Sequence, residues 1–278
     1  MPAAEAQAWR GAGFSVVALT PEDLASRERL PAPGIAARAD LASATRSPWV
    51  FANGWRFLRN RAGRFSYDLP QGQAALAAAE AFAYGVDALL KIDPVDLESL
   101  GGMLAFLRQL PPSDATAVAD LGVIDDGSPL MGEVMNLLVR RNLLFRVVEA
   151  PSPQFRINVE LGTPEYPRKE AADPSALALR IRRELTDERR ALRVYGSEVV
   201  ICRLVGDAAQ VRLHLLNYGG RGTSGLRIRL HGSYPRGTAF LPGLGPVPLE
   251  DLSAIEGATE FSLSRMDAYA VVDLEAGK

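Results

Sequence analysis

Apolar positions along this chain follow two regimes. Up to about residue 190, short apolar runs alternate with longer stretches of helical period; beyond about residue 193, only short strand-like runs remain. Phe14–Leu19 reads as a buried strand. Thr20-Pro21-Glu22-Asp23 then supplies an N-cap hydroxyl, a proline at the first helical position and an acid at the third. Pro48–Ala52 is a second apolar run. Trp55–Leu58 and Arg64–Asp68 read as the two strands of a hairpin, with Gly63 at its turn. Gln73–Tyr84 is an alanine-rich helix closed by Gly85 at C′, with side chains small enough to let its backbone lie close to a sheet. Ala88–Ile92 is a third strand, and Val95–Leu110 a helix stopped by Pro111-Pro112.

The segment Pro111–Ala115 marks a boundary. After it come a strand at Val118–Ile124, a loop Asp125-Asp126-Gly127, and a helix capped by Ser128 that buries Met131, Val134, Met135 and Leu138 at helical spacing. Leu144–Val148 and Arg156–Leu161 are further strands, Gly162–Ala172 a polar loop, and Asp173-Pro174 the start of a helix running to about Arg190. Strands alternating with helices imply a mostly parallel sheet covered on both faces. From Val199 onward the helices vanish. Val199–Val205 is almost wholly apolar, whereas Gln210–Leu215 and Arg227–His231 alternate. That pattern predicts an antiparallel β-sandwich whose polar face exposes Arg212, His214, Arg227, Arg229 and His231. The fold class expected is therefore α/β with a C-terminal antiparallel sandwich.

Composition narrows the chemistry. Of the 278 residues 47% are hydrophobic and 23% charged, and the formal net charge of −2 gives no general pull toward nucleic acid or an anionic membrane. Residues 1–12 lack the basic and apolar regions of a signal peptide, and no window offers the roughly 20 apolar residues of a membrane span. The expectation is a soluble chain of unassigned compartment. One cysteine, Cys202, and two histidines, His214 and His231, leave no disulfide and too few ligands for a Cys/His zinc site. No cofactor is expected. Both histidines lie on sandwich strands among arginines, and Cys202 lies within a buried strand, so none reads as a nucleophile or base.

Carboxylates are the remaining candidates. Ligands of parallel α/β sheets gather beyond the C-terminal strand ends. There the sequence places Asp93, Asp125 and Asp126, with Asp93 and Asp126 as the acid and base of a possible glycoside-cleaving pair. The same residues also read as ordinary turn and capping groups before prolines and helix starts. Phosphate binding at Gly127-Ser128 is disfavoured by the two aspartates that precede it. A second constellation is Trp49, Asn53, Trp55, Arg56, Tyr67 and Asp68, aromatic and polar groups of the kind that stack on and bond a sugar; Asn53, Trp55, Arg56 and Tyr67, with Asp125, are the candidate substrate contacts. The alternative is aromatic packing on the sheet.

Three runs carry a resemblance: Tyr195-Gly196-Ser197-Glu198-Val199-Val200-Ile201, Leu213-His214-Leu215-Leu216-Asn217-Tyr218-Gly219, and Tyr269-Ala270-Val271-Val272-Asp273-Leu274. They resemble the end of multi-domain glycoside hydrolases such as the β-galactosidases of the trimerising type. In these, an amidotransferase-like (flavodoxin-like) α/β domain precedes a small β-sandwich. Leu121–Glu149 resembles the amidotransferase-like part. Residues 1–114 resemble the last βα units of a hydrolase barrel, with Asn53-Gly54-Trp55 near a strand end. The resemblance implies a division into 1–114, 115–192 and 193–278. A complete barrel takes roughly 200–250 residues, and the amidotransferase-like part lacks a nucleophilic cysteine, since Cys202 is mid-strand. Two functions follow as expectations: a carbohydrate-related relative of glycoside hydrolases that acts on or binds glycans, or a non-catalytic sugar-binding or oligomerisation module. The partners implied are a carbohydrate ligand and either further copies of the chain or a separate catalytic barrel subunit.

Overall fold

A computed structural model describes Gln7 and residues 20–36, 49–111, 113 and 115–277. The strand expected at Phe14–Leu19 lies outside the described residues. Helix α1 (Pro21–Ala25) starts as its sequence dictates, with Thr20 Oγ1 accepting from the Asp23 amide at 3.1 Å. It is followed by β1 (Glu28–Leu30), β2 (Gly34–Ala36) and β3 (Trp49–Phe51), the last two an antiparallel pair. Next come α2 (Gly54–Arg59), β4 (Arg64–Asp68), α3 (Ala74–Tyr84) and β5 (Asp87–Lys91). Strands β1, β4 and β5 form a parallel sheet in that order, and α3 is the crossover between β4 and β5. Gly85 ends α3 in the left-handed region at φ 65°, where a side chain would be strained.

The hairpin expected across Trp55–Leu58 and Arg64–Asp68 is half wrong. The first half is helix α2, and only the second is a strand. Trp55, Phe57 and Leu58 are all buried while Arg56 and Arg59 lie toward the surface, a distribution a single helical turn satisfies as readily as a strand. Six residues are too few for period to decide, and the close packing of Phe57 on Phe65 (ring centroids 4.9 Å) decides it instead. Gly63 does sit at the turn, where a Cβ would come within 2.7 Å of Asn60 and Phe65 side-chain atoms.

After a single 3-10 turn (Pro94–Asp96) the chain forms α4 (Leu97–Gln109), β6 (Leu121–Ile124), α5 (Pro129–Arg140), β7 (Phe145–Val148) and β8 (Ile157–Glu160). Ser128 caps α5 as expected, its Oγ accepting from the Met131 amide at 3.1 Å. These strands make a second parallel sheet, ordered β7-β6-β8, so among the described residues the parallel strands are divided between two three-stranded sheets. The loop expected at 162–172 contains a short helix, α6 (Arg168–Ala171). Helix α7 (Pro174–Leu185) stops short of Arg190 because Thr186 adopts φ 57°; Asp187 beyond it gathers Arg182, Arg190 and Arg193.

The remaining chain is strand: β9 (Leu192–Tyr195), β10 (Val200–Gly206), β11 (Gln210–Asn217), β12 (Thr223–His231), β13 (Arg236–Leu241), β14 (Gly245–Pro248), β15 (Glu250–Ile255), β16 (Ala258–Met266) and β17 (Tyr269–Glu275). They build two antiparallel sheets, β10-β11-β17-β13-β14 and β15-β16-β12-β9, which face each other as a sandwich. The chain is thus α/β with an antiparallel β-sandwich. No described helix is long and apolar enough to cross a membrane.

Strands β10, β11 and β17 of the five-stranded sheet are buried on both sides. Val211, Leu213 and Leu215 join the sandwich interior, while Ile201, Leu216, Tyr269 and Val271 join the core of the α/β layer. This corrects the expected exposure of Arg212 and His214, which are only 7% and 5% exposed. Arg212 forms a bidentate pair with Asp273 (2.6 and 2.7 Å) and donates to the Pro111 carbonyl. His214 Nδ1 lies 2.6 Å from the Tyr269 hydroxyl, with Phe82 of α3 against its ring. Burial, reinforced by Arg203 and Arg212, pushes the His214 pKa down to about 3, so the ring is neutral. Cys202 is buried as expected, and burial pushes its thiol pKa up. Alternation along β11 identifies its two faces correctly; it carries no information on what covers the second.

Candidate functional site

Asn53, at the turn between β3 and α2, is fully buried, and its side chain caps nothing in α2. It is spent elsewhere. Its backbone amide donates to Glu80 Oε1 (2.7 Å), and its Nδ2 donates to Glu80 Oε2 and to the Pro31 carbonyl (both 3.1 Å). Tyr67 on β4 donates to Glu80 Oε2 at 2.7 Å, and Tyr218, just beyond β11, donates to Oε1 at 2.7 Å. Glu80 therefore receives four hydrogen bonds, two on each oxygen, while 0% exposed. Burial pushes its pKa up; the Tyr218, Asn53 and Tyr67 donors oppose that rise. This carboxylate ties the β3–α2 loop, the first parallel sheet and the sandwich to one point on α3.

Two candidate sugar contacts, Asn53 and Tyr67, thus come together, but at a closed interior; Tyr67 is 2% exposed. Trp55 is buried as well, packed on Gly132 of α5, where a Cβ would come within 3.0 Å of the indole. Arg56 stacks on the Trp55 ring at 4.3 Å and pairs with Glu28 at 3.1 Å. Neither Trp55 nor Tyr67 offers an open ring face to solvent. Trp49 is partly exposed, with the Arg140 guanidinium 3.7 Å from its ring centroid. Asp68 pairs with Arg29 and Lys91 at the surface.

The aspartates at the strand ends have separate partners. Asp93 is exposed and accepts from the Val95 amide at 3.0 Å, capping the turn that leads into α4. Asp125 is gripped bidentately by Arg59 of α2 (2.7 and 2.8 Å) and also accepts from the Gly127 amide. Asp126 accepts from the Ser128 amide and pairs with Arg168. Desolvation, the largest single influence on Asp126, raises its pKa, but the Ser128 hydrogen bonds and Arg168 together outweigh it and hold its carboxyl below the usual range. Asp125 and Asp126 adjoin in the β6–α5 loop, whereas Asp93 follows β5 of the other parallel sheet. Among the described residues, no group of three or more His, Cys, Asp or Glu side chains is placed to hold a metal ion.

Glu80 escapes sequence reasoning because an acid within an alanine-rich helix reads as its solvated face. A signal existed. Glu80 is the sole charge in Ala74–Tyr84, and a helix of small apolar residues buried nearly all round must carry such a charge inward.

No protein-family model and no curated protein matches the sequence. Solved structures do. The α-L-fucosidase isoenzyme 2 from Paenibacillus thiaminolyticus superposes with TM-score 0.62 at 9% identity, over 93% of this chain and 66% of that one. The rhamnosidase from Novosphingobium sp. PP1Y gives TM-score 0.50 at 10% identity, over 77% of this chain and 31% of that one. The chain spans less than two thirds of either enzyme's length. At such identities the likeness concerns the backbone alone: this chain has a glycoside-hydrolase-like fold.

Proposed function

We propose that this chain is a carbohydrate-binding module of glycoside-hydrolase-like fold that recognises a glycan without cleaving it. The observation that supports this is the commitment of the strand-end acids. Glycoside cleavage needs one carboxyl that stays protonated near neutral pH. Asp126 is held low instead, Asp125 is locked to Arg59, and Asp93 caps a turn. Glu80 has a raised pKa but no path to a substrate, being wholly enclosed. On this reading a separate catalytic barrel supplies the cleavage chemistry. Residues 115–192 serve as the amidotransferase-like part between 1–114 and the sandwich at 193–278.

A glycan array and a panel of nitrophenyl glycosides, run on the purified chain, test the reading. The expected result is glycan binding without turnover, with Asp93→Asn and Asp126→Asn binding within about twofold of the parent. Turnover that disappears in Asp126→Asn overturns the non-catalytic reading. Silence in both assays overturns the carbohydrate reading altogether.

A further inference from the structure

A groove of about 490 Å3 opens on the side of the second parallel sheet opposite the Asp125-Asp126 loop. Asp120, which precedes β6, and Arg156, which precedes β8, place it at the N-terminal strand ends. Its other wall belongs to the sandwich: Asp207 in the β10–β11 turn, His231 ending β12, and Tyr234 before β13. Its volume is in the range of small-molecule sites, and seams of this kind are where such sites concentrate. None of the candidate acids or aromatics of the previous sections lines it.

The polar groups here are unlike those around Glu80. Asp120 is 5% exposed; its Oδ2 accepts from the Ala191 amide at 2.8 Å, but Oδ1 has only a long 3.4 Å contact with Arg156 Nε. Among the described residues, the terminal nitrogens of Arg156, the side-chain amide of Gln154 and the His231 ring have no protein hydrogen-bond partner, and all three residues are exposed. Donors and acceptors thus converge on open space. Both signs of charge are present, Arg156 set against Asp120 and Asp207, and Leu204, Val211 and the Tyr234 ring give an apolar lining. An anion would meet the like charge of Asp120 and Asp207, and a cation that of Arg156. A neutral polyhydroxyl ring with one apolar face meets donors, acceptors and an apolar wall at once.

We infer that this groove binds a neutral saccharide unit, with Arg156, Gln154 and His231 reaching its hydroxyls from the rim and Asp120 accepting from the base. The inference rests on the carbohydrate reading above and gives that reading a location. It is tested on the full chain by calorimetric and NMR titration with L-fucose, L-rhamnose and D-galactose, using Arg156→Ala, Gln154→Ala and His231→Ala. These positions are exposed, so the variants are expected to keep the parent's circular dichroism and melting temperature. Affinity for the sugar that binds should fall at least tenfold in Arg156→Ala and three- to tenfold in His231→Ala and Gln154→Ala. If a sugar binds and all three variants bind it like the parent, the groove is excluded while the carbohydrate reading stands. If no sugar binds the parent chain at millimolar concentration, both fall together.

Discussion

Glu80 and Asp120 are the same kind of group in two opposite settings. Both are buried carboxylates whose pKa burial pushes up. Around Glu80 every lone-pair direction in reach is filled by Asn53, Tyr67 and Tyr218, drawn from three separate parts of the chain. Around Asp120 one amide and one distant guanidinium do that work, and the remainder faces a groove. A saturated carboxylate is a strut, because any movement leaves several buried groups unsatisfied. An unsaturated one beside open space has capacity left for a ligand. Burial and pKa direction alone do not separate the two; the count and aim of the partners do.

That contrast predicts where the fold breaks. Glu80→Ala strands the Asn53 amide and two tyrosine hydroxyls in the core and leaves a void. It should cost about 3–5 kcal/mol of unfolding free energy in urea titration. Glu80→Gln should cost less, because it keeps the side-chain volume and one accepting oxygen, and the tyrosine hydroxyl facing its NH2 can rotate to accept. Equal losses in the two variants would mean that the charge, not the hydrogen-bond set, holds this point.

The covered face of the five-stranded sheet gives the next effect. Unfolded, His214 titrates near 6.5; folded, it titrates at about 3. Between those values the unfolded chain binds more protons, so stability falls as pH drops from 6.5 toward 3. The slope from this ring is about 1.4 kcal/mol per pH unit. Urea midpoints at pH 7 and pH 4.5 should converge in His214→Gln relative to the parent. Parallel acid losses in the two chains would place the ring in contact with solvent.

Smaller still is Tyr218→Phe, which removes one donor from Glu80 and keeps the ring. A loss of about 1–1.5 kcal/mol is expected, seen as a lower melting temperature. Arg168→Ala, at the exposed Asp126 pair, should change stability by less than about 1 kcal/mol, and less again in high salt.

Much of this architecture was legible one element at a time. Thr20, Ser128 and Asp173, each followed by proline, announced their helices, and all three side chains accept the capping hydrogen bond. What stayed hidden depends on distance along the chain. The four residues Trp55–Leu58 fit either period, and Phe57 on Phe65 settles the outcome. His214 was misread because nothing on β11 reveals that α3 covers it. The candidate aspartates were located correctly at strand ends, but their arginine partners, Arg59 and Arg168, lie 66 and 42 positions away. The groove is harder again. Asp120, Arg156 and His231 meet only after the second parallel sheet docks on the sandwich, and no local pattern joins them.

The most direct test of the account is an NMR titration of the full, isotopically labelled chain with L-fucose and L-rhamnose, followed on the same sample by an assay for hydrolysis of their nitrophenyl glycosides. Chemical-shift changes centred on Asp120, Arg156 and His231 are expected, with Asp93 and Asp126 unmoved and no nitrophenol released. Shifts centred on Asp93 or Asp126, accompanied by nitrophenol release, would contradict it.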